Sequence, residues 1–394
     1  MALRATIVAL WIVLWARFPI QAQFARQQVS INPTHPAQQQ GREPTQKALP
    51  DAESELQTGT TLTRHGSFAE AIPHLLAARG RVSNEYAGEF NLALCYVGTG
   101  QFLQAVRVLS SLRDRGHDNA DVYNLLAQAQ IGNAQPREAW ASFQKAVLLT
   151  PQNEKLYLFL ADACMEQKDD ALGLKVVNLG IQNLPRSARL YYERAVFLSQ
   201  LDQFDRGKAD FELARKLAPD SDIGYLAAAH EEFLQGNIRE AIQAAREGIR
   251  QGYQNSVLLT ILGEALMRAG AVPGQPEFGE AEMALQRAVA ERPGDPSSQV
   301  ALGKLDLVGD KIEDAIAHLE KARQIEPGNA SVCANLAKAY QRRGDPQRAQ
   351  EMLGILAHLN EAKAERIRTA PGDRKTGYAG SGIEQEAEDE PSHQ

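Results

Sequence analysis

Three cysteines are the residues of this chain that first suggest redox or metal chemistry. Cys95, Cys164 and Cys333 lie too far apart in the sequence to form a CxxC metal or redox site. Each falls among the apolar positions of a predicted helix, where a free thiol behaves as a small apolar side chain. The spacing therefore predicts three buried thiols without a redox role.

Catalytic motifs built on histidine, serine or glycine-rich loops are missing from the sequence. The eight histidines show neither metal-ligand spacing nor an HExxH pair, and no glycine-rich loop precedes a Lys-Ser or Lys-Thr pair. The segment Gly380-Ser381-Gly382 lacks the flanking strand and helix of a nucleophile elbow. Asp and Glu are numerous, so a carboxylate pair stays open as an alternative. We expect no enzyme, metal, cofactor or small-molecule substrate.

Composition favours an all-α protein that does not bind nucleic acid. The 394 residues are 44% hydrophobic and 23% charged, with only 6% aromatic residues. Alanine and leucine are abundant, and both lose little conformational freedom in helices. The net charge of −7 disfavours general binding to nucleic acid, which requires a basic surface that displaces counterions.

The N-terminal segment resembles a secretory signal over residues 1–22. Arg4 supplies a positive start, residues 5–16 are apolar apart from Thr6, and Ala22 offers a small residue for cleavage. Arg17 ends the apolar run well before the roughly 20 residues that a membrane-spanning helix needs. We therefore expect export to the periplasm or the outside of the cell, with an uncleaved membrane anchor as the less favoured alternative.

Two further segments have the composition of unstructured chain. Residues 23–51 are rich in Gln, Pro, Ala and Thr, which predicts a disordered linker. Residues 364–394 contain Pro371-Gly372 and then an acidic run without basic residues at 384–390. We predict a disordered acidic tail that is solvated, with a partner-binding or regulatory role as the alternative.

A 34-residue period organises the rest of the chain. One copy of the pattern contains Ala127, Phe143, Ala146 and Pro151, and later copies repeat these residue types in register. The frame predicts repeats that begin at Ala52, Tyr86, Ala120, Glu154, Ala188, Asp222, Ser256, Pro296 and Ala330. Nine repeats then cover residues 52–363.

The seventh repeat is longer than the others. The step from Ser256 to Pro296 holds six residues more than the usual period. We place the extra residues in a loop at residues 271–279, where Pro273 and Gly274 disfavour a helix.

The frame resembles the tetratricopeptide repeat family, whose unit is a 34-residue helix-turn-helix. All nine repeats have Gly or Ala at the eighth position, where the two helices A and B of that family touch: Gly59, Ala93, Ala127, Ala161, Ala195, Ala229, Gly263, Gly303 and Ala337. Two helices approach to about 8 Å only when the residues between them are small. The resemblance implies a right-handed α–α superhelix, a solenoid in which neighbouring repeats complete each other's core.

Some positions depart from the family pattern. Lys168 and Asp202 replace the usual glycine in the turn between helices A and B, and the first two repeats lack the closing proline. These departures leave the ends of individual helices open, but not the fold.

The resemblance also implies where a ligand binds. Family members bind extended peptides or partner segments on the concave surface, which helix A of each repeat lines. The residues that this sequence places there are polar and mixed in charge. They are Asp121, Asn124, Gln128, Lys155, Asp162, Arg189, Glu193, His230, Glu264, Arg268, Lys304, Asn335, Lys338 and Arg342.

One basic cluster within this set resembles part of the family's carboxylate clamp. Lys304, Asn335, Lys338 and Arg342 combine cations with an amide, although the matching Lys and Asn of a preceding repeat are missing. The cluster either binds an acidic segment, such as the chain's own tail, or only solvates a helix face.

The predicted function is a scaffold that binds proteins or peptides in its groove. The alternative is a structural solenoid that associates with itself and has no dedicated ligand. A fold alone does not identify the partner.

Overall fold

The computed structural model describes residues 51–253 and 255–369, which form helices and turns without a strand. The predicted signal, nearly all of the predicted linker and residues 370–394 of the predicted tail lie outside the described residues. The helices are α1 (Ala52–Arg64), α2 (Phe68–Ala78), α3 (Glu85–Gly98), α4 (Phe102–Asp114), α5 (Ala120–Gly132), α6 (Pro136–Leu149), α7 (Glu154–Glu166), α8 (Asp170–Asn183), α9 (Ala188–Gln200), α10 (Phe204–Leu217), α11 (Asp222–Gln235), α12 (Ile238–Arg250), α13 (Ser256–Arg268), α14 (Pro276–Glu291), α15 (Pro296–Val308), α16 (Ile312–Ile325), α17 (Ala330–Arg343) and α18 (Pro346–Thr369). The predicted all-α superhelical repeat fold is confirmed.

The odd-numbered helices begin at the predicted repeat starts because a capping side chain precedes nearly every one. All nine start at the predicted residue except α3, which starts one residue earlier at Glu85. In α3, for example, the Asn84 side chain accepts a hydrogen bond from the backbone N–H of Ala87. Equivalent bonds are made by Asn119, Asn153, Ser187, Ser221, Asn255, Asp295 and Asn329. These caps satisfy N–H groups that a helix start otherwise leaves without a partner.

The two helices of each repeat are joined by a turn that has one residue in the left-handed region, or two in the seventh repeat. Six of these residues are glycines, such as Gly236 with φ 82°. The other four are Ala134, Lys168, Asp202 and Asp310, with φ between 57° and 61°. Lys168 and Asp202 therefore adopt the backbone conformation of the glycine they replace, and α7 and α9 keep the usual length of 13 residues.

The two helices of a repeat touch through the small residues that the frame singled out. A Cβ added to Gly263 would lie 2.4 Å from Leu285 Cγ, and one added to Gly303 would lie 2.7 Å from Leu319 Cγ. Buried side chains beside these contacts join neighbouring repeats into a core that runs from Ala127 to Leu305. Each repeat therefore buries its apolar face against the next one, as in other solenoids.

The chain divides into two compact units, one that ends at Pro327 and one that begins at Gly328. The first unit contains α1 to α16, and the second contains α17 and α18. Within the first unit every odd-numbered helix also contacts the odd-numbered helix of the next repeat, whereas successive even-numbered helices have no comparable contact. The odd-numbered helices therefore lie on the inner side of the first unit, and the even-numbered helices lie outside.

Two further details differ from the sequence expectation. The extra residues of the seventh repeat do not all form a loop, because α14 begins at Pro276 and includes residues 276–279 of the predicted loop. Proline suits the first turn of a helix, where its missing N–H has no helical partner to lose. The last helix, α18, continues to Thr369 and so takes up the first residues of the predicted tail.

The three cysteines are buried, as predicted, and none of them forms a disulfide bond within the described residues. Burial raises the pKa of the Cys95 thiol to about 11, although a hydrogen bond with Thr63 works in the opposite direction. Burial also raises the pKa of Cys164. Neither thiol is activated for nucleophilic or redox chemistry, since the reactive form is the thiolate. No helix within residues 51–253 and 255–369 has the length and apolarity of a membrane span.

Candidate binding groove

The predicted ligand-binding residues differ widely in their exposure. Four are buried, namely Asn124, Gln128, His230 and Glu264. Seven are partly buried, namely Asp121, Lys155, Asp162, Arg189, Glu193, Lys304 and Asn335. Arg268, Lys338 and Arg342 are exposed. A ligand could therefore reach some of these side chains directly, whereas the buried ones form part of the wall of the groove.

A pocket lies where the second, third and fourth repeats meet. It holds about 380 Å³ between atoms, its open mouth included. Its lining residues come from α3, α4, α5, α7 and the residue that follows α7, and are Val97, Phe102, Gln128, Gly132, Phe159, Asp162, Ala163, Glu166 and Gln167. Two predicted site residues, Gln128 and Asp162, are thus brought together over an apolar floor.

Two buried amides beside this pocket have little or no hydrogen bonding. Gln128 is 7% exposed. Its side-chain nitrogen donates one long bond of 3.5 Å to the Asn124 backbone carbonyl, and the side chain has no other polar partner in the described chain. Asn124 is fully buried, and neither atom of its side-chain amide has a hydrogen-bond partner in the structure. An unpaired polar group in a buried place costs about 1–3 kcal/mol, so a ligand that pairs with Gln128 at the pocket is favoured, whereas the Asn124 amide is closed to a ligand.

The centre of the inner wall contains a neutral histidine. His230 Nδ1 lies 3.1 Å from the Tyr192 hydroxyl, and its ring centroid lies 5.0 Å from that of Phe211. Burial lowers the pKa of His230 to about 4, because the charged imidazolium would lose its hydration. At neutral pH this predicted ligand-binding residue is therefore an uncharged member of an aromatic cluster.

Glu193 lies among charges from three repeats. Its pKa is raised to about 8, mainly by burial and also by the charge of Asp162, while Arg189 and Arg292 oppose the shift. Arg292 follows the last residue of α14, so side chains of the fifth and seventh repeats approach each other within the first unit. Charged side chains of the protein itself therefore surround Glu193 at this part of the inner wall.

Glu264 is a buried acid near two cations, Lys304 and Arg268. It is 2% exposed, Lys304 Nζ lies 3.9 Å from its Oε1, and neither carboxylate oxygen accepts a hydrogen bond in the described chain. Burial raises its pKa to about 7, although the charges of Lys304 and Arg268 lower it. Lys304, which the sequence placed in a basic cluster, therefore lies beside an acidic side chain.

The remaining members of that basic cluster belong to the second unit. Asn335 Nδ2 donates to the Ser331 carbonyl on the same helix at 2.7 Å, so its amide nitrogen is already bonded. Lys338 and Arg342 are exposed on α17. Binding of an acidic segment by this cluster stays a prediction.

Several pocket residues were missing from the sequence-based set. Phe159 and Glu166 stand at the sixth and thirteenth positions of their repeat, and Val97 stands at the twelfth position of its own. The family resemblance assigns these positions to the inner face, so the repeat frame alone could have identified them. Phe102 opens the outer helix α4, and no inner-face rule would have found it.

Stacked helix pairs with a polar inner face define the protein as a helical repeat scaffold. Two sequence profiles described as tetratricopeptide repeat match it, one over residues 62–129 and 309–366 and the other over residues 188–221. The protein belongs to the tetratricopeptide repeat family. Repeats of this family are typical of protein-interaction scaffolds.

Known relatives share only part of their length with this chain. It is 24% identical over 243 residues to the human mitochondrial import receptor subunit TOM70, which covers 60% of this chain and 39% of the receptor. It is 21% identical over 263 residues to mouse tetratricopeptide repeat protein 16, which covers 60% of this chain and 34% of the mouse protein. The chain thus spans less than two fifths of the length of either relative.

Solved structures with a similar fold include YrrB, described as a TPR protein with an unusual peptide-binding site. It shares 20% identity, the match covers 50% of this chain and 97% of YrrB, and the TM-score is 0.34. The Cut9–Hcn1 assembly of the APC/C shares 15% identity, with 79% of this chain and 64% of that chain covered and a TM-score of 0.48. At such identities the likeness is one of fold.

Proposed function

We propose that the protein binds an extended peptide or protein segment along the inner face of α3, α5 and α7. The observation that carries this proposal is the Gln128 side chain, which lines an open pocket and makes only one hydrogen bond, of 3.5 Å. A side-chain amide can donate to and accept from a peptide backbone at once. A bound segment that enters the pocket would use the hydrogen-bonding capacity that the folded chain leaves unused at Gln128.

Site-specific crosslinking in the full chain tests this proposal. A photoreactive amino acid replaces Gln167, an exposed residue that lines the pocket, or Gln144, an exposed residue on the outer helix α6. Both variants are irradiated in extracts of the producing cells and in their culture fluid. We expect discrete protein adducts from position 167 and none from position 144. Equal labelling from both positions, or no adduct from position 167, would overturn the proposal.

The same experiment detects self-association, the alternative function. Leu148 on α6 is 77% exposed and Met283 on α14 is 62% exposed, so the outer helices offer apolar side chains to a second copy. An adduct of twice the chain mass from purified protein at position 144, together with a dimer in sedimentation, would favour a structural solenoid over a peptide-binding scaffold.

We also propose that the scaffold acts outside the cytoplasm, in the cell envelope or the medium. The basis is the charge and apolarity pattern of residues 1–22. N-terminal sequencing of protein from periplasmic and culture-fluid fractions tests it. We expect a mature chain that begins at Gln23, whereas recovery of the full chain only from the cytoplasm would contradict export.

A further inference from the structure

We infer that the groove ends at the fourth repeat and therefore takes the free end of a chain, not an internal stretch. This inference rests on the proposed function, because it assumes that a segment lies along α3, α5 and α7. It goes further by stating where the bound segment ends and which class of partner fits.

The first unit contacts itself across several repeats. Lys168 follows α7 in the turn of the fourth repeat, and its Nζ lies 3.8 Å from Oε1 of Glu326, which follows α16 of the eighth repeat. Helices in contact lie about 8–10 Å apart, so four steps of a straight stack would separate α7 from α15 by roughly 30–40 Å. Repeats of an open solenoid contact only their neighbours. The first unit therefore curves until its eighth repeat reaches the edge of the fourth.

This contact depends on a side chain that the turn itself does not need. Equivalent turns have glycine at the same place, for example Gly100 and Gly236. Lys168 adopts the same left-handed conformation with a φ of 58°, and its side chain is 66% exposed. The lysine therefore adds a cation at the edge of the groove, where it meets a carboxylate of the eighth repeat.

A second contact reaches the inner face one repeat further along. Glu193 lies on α9, and Arg292, which follows α14, is one of the charges that oppose the raised pKa of this carboxyl. Arg292 Nη1 is buried. Part of the guanidinium is thus enclosed beside α9, which a segment would have to pass after α7. The two contacts, Lys168 with Glu326 and Arg292 with Glu193, are together called the closure below.

The inner wall beyond the fifth repeat is mostly buried. In the sixth and seventh repeats even the polar inner side chains of His230, Thr260 and Glu264 are at most 4% exposed. In the first two repeats, by contrast, the inner residue Gln57 is exposed and Asn91 is partly exposed. The accessible polar wall of the groove therefore lies mainly before the closure.

A chain end fits a groove with such a stop better than an internal segment does. A terminal segment can lie along α3, α5 and α7 and end beside Lys168. A chain that continues in both directions has to bend out of the groove before α9, and it then loses contacts and orders additional backbone. The closure therefore predicts a preference for chain ends.

Peptide libraries displayed in three contexts test this preference on the intact protein. A random segment of fixed length is presented with a free N-terminus, with a free C-terminus, or within a loop of a folded carrier domain. We expect binders from at least one of the free-end libraries, and about tenfold weaker binding when a selected segment is moved into the carrier loop. Equal affinity in the two contexts, or binders from the loop library alone, would overturn the inference and leave the groove function in place. Failure to select any peptide would overturn both.

A variant that opens the closure gives the converse test. Lys168→Glu combined with Arg292→Glu sets like charges against Glu326 and Glu193, so a selected segment in the carrier loop should regain most of the lost affinity. Lys145→Glu, at an exposed residue of the outer helix α6, is the matched control and should keep the preference for a free end. Helical circular dichroism shows which variants are folded. A folded double variant that keeps the full preference would contradict the role of the closure.

Zero-length crosslinking shows whether the first contact exists in solution. A water-soluble carbodiimide joins an ammonium group to a carboxylate only when the two groups meet. Monomeric wild-type protein should therefore give an amide between Lys168 and Glu326, which mass spectrometry of proteolytic fragments identifies. The exchanged variant, Lys168→Glu with Glu326→Lys, should give the reversed link and keep the preference for a free end. Absence of the link from both proteins would overturn the closure.

Discussion

The ring of Phe102 occupies the space that a side chain at Gly132 would need, since a Cβ at position 132 would lie only 2.3 Å from the nearest ring carbon. One repeat earlier, Phe68 and Gly98 have the same relationship at the same distance. In both cases the first residue of an outer helix packs on the inner helix of the next repeat. The missing side chain of Gly132 allows the Phe102 ring to form the floor of the pocket.

Replacing Gly132 by alanine should therefore destabilise the protein. The added methyl group forces the Phe102 ring to move in a packed environment, which typically costs about 1–3 kcal/mol. Gly279→Ala is the matched control, because Gly279 lies within α14 and an added Cβ there would meet no atom within 4 Å. Helix propensity predicts that this control gains about 0.5–1 kcal/mol. Urea titrations followed by circular dichroism compare them, and a Gly132→Ala midpoint at or above the wild-type value would contradict the packing argument.

In the turn between α5 and α6, by contrast, we predict a substitution that stabilises the protein. Ala134 has a φ of 57°, a conformation that costs an L-residue roughly 1–2 kcal/mol and glycine little. Glycine also has more freedom in the unfolded chain, which offsets part of the gain. Ala134→Gly should raise the free energy of unfolding by about 0.5–1 kcal/mol in net terms.

The reverse change at an equivalent turn serves as its control. Gly236 has a φ of 82° and no atom near the place of a Cβ, so Gly236→Ala tests conformation without a steric clash. It should lower the denaturation midpoint as Ala134→Gly raises it. Shifts of the same sign in both variants would mean that backbone strain does not decide the stability of these turns.

Much of the fold could be predicted because its determinants recur in the sequence at a fixed distance. Gly263 and Gly303 mark helix contacts that require small residues, and Pro151 marks a place where a helix has to end. The capping residues at each repeat start, such as Asn119, fix the first turn of each inner helix. Each of these determinants acts over a few residues, so the positions of the helices can be read from the repeat frame.

The candidate site was less predictable because it depends on contacts between repeats. No pattern within a repeat indicates that Lys304 lies beside Glu264, or that Arg292 of the seventh repeat approaches Glu193 of the fifth. The division of the extra residues of the seventh repeat between a loop and the start of α14 is equally a matter of packing. Sequence position gives the face of a helix, and the curvature of the array decides which side chains meet on it.

The ion pair between Arg194 and Asp210 gives a prediction about buried charge. Two guanidinium nitrogens donate to the two carboxylate oxygens at 2.6 and 2.7 Å, and the Asp210 side chain is only 8% exposed. Arg194→Met should cost about 3–5 kcal/mol, because it leaves a buried carboxylate without its cation. Replacing both residues by leucine should restore most of the loss, since neither charge is then buried.

The pair between Arg246 and Glu280 is the matched control for that loss. Its two hydrogen bonds have similar lengths, 2.9 and 2.6 Å, but the side chains are 49% and 31% exposed. Arg246→Met should therefore cost no more than about 1 kcal/mol. Equal losses from the two single substitutions would show that burial does not set the strength of these pairs.

The buried acid Glu264 makes the stability of the protein depend on pH. Burial is the largest cause of its raised pKa of about 7, the charges of Lys304 and Arg268 oppose the shift, and Asp295 adds to it. Because the reference pKa is 4.5, the folded state holds this proton more tightly than the unfolded chain. The stability that protonated Glu264 contributes is fully present below about pH 4.5 and is lost as the pH rises through 7.

Glu264→Gln removes this titration and should therefore help most at high pH. Relative to wild type, the variant should gain stability between pH 5 and pH 8, by up to a value on the order of 3 kcal/mol. Glu240→Gln, at an exposed position of the outer helix α12, should show no comparable gain between the two pH values. Urea titrations of both variants at pH 5 and pH 8 measure the differences. If the stability of Glu264→Gln relative to wild type is the same at both pH values, Glu264 does not titrate in this range. If that relative stability falls from pH 5 to pH 8, the carboxylate is better paired in the folded protein than its unbonded oxygens indicate.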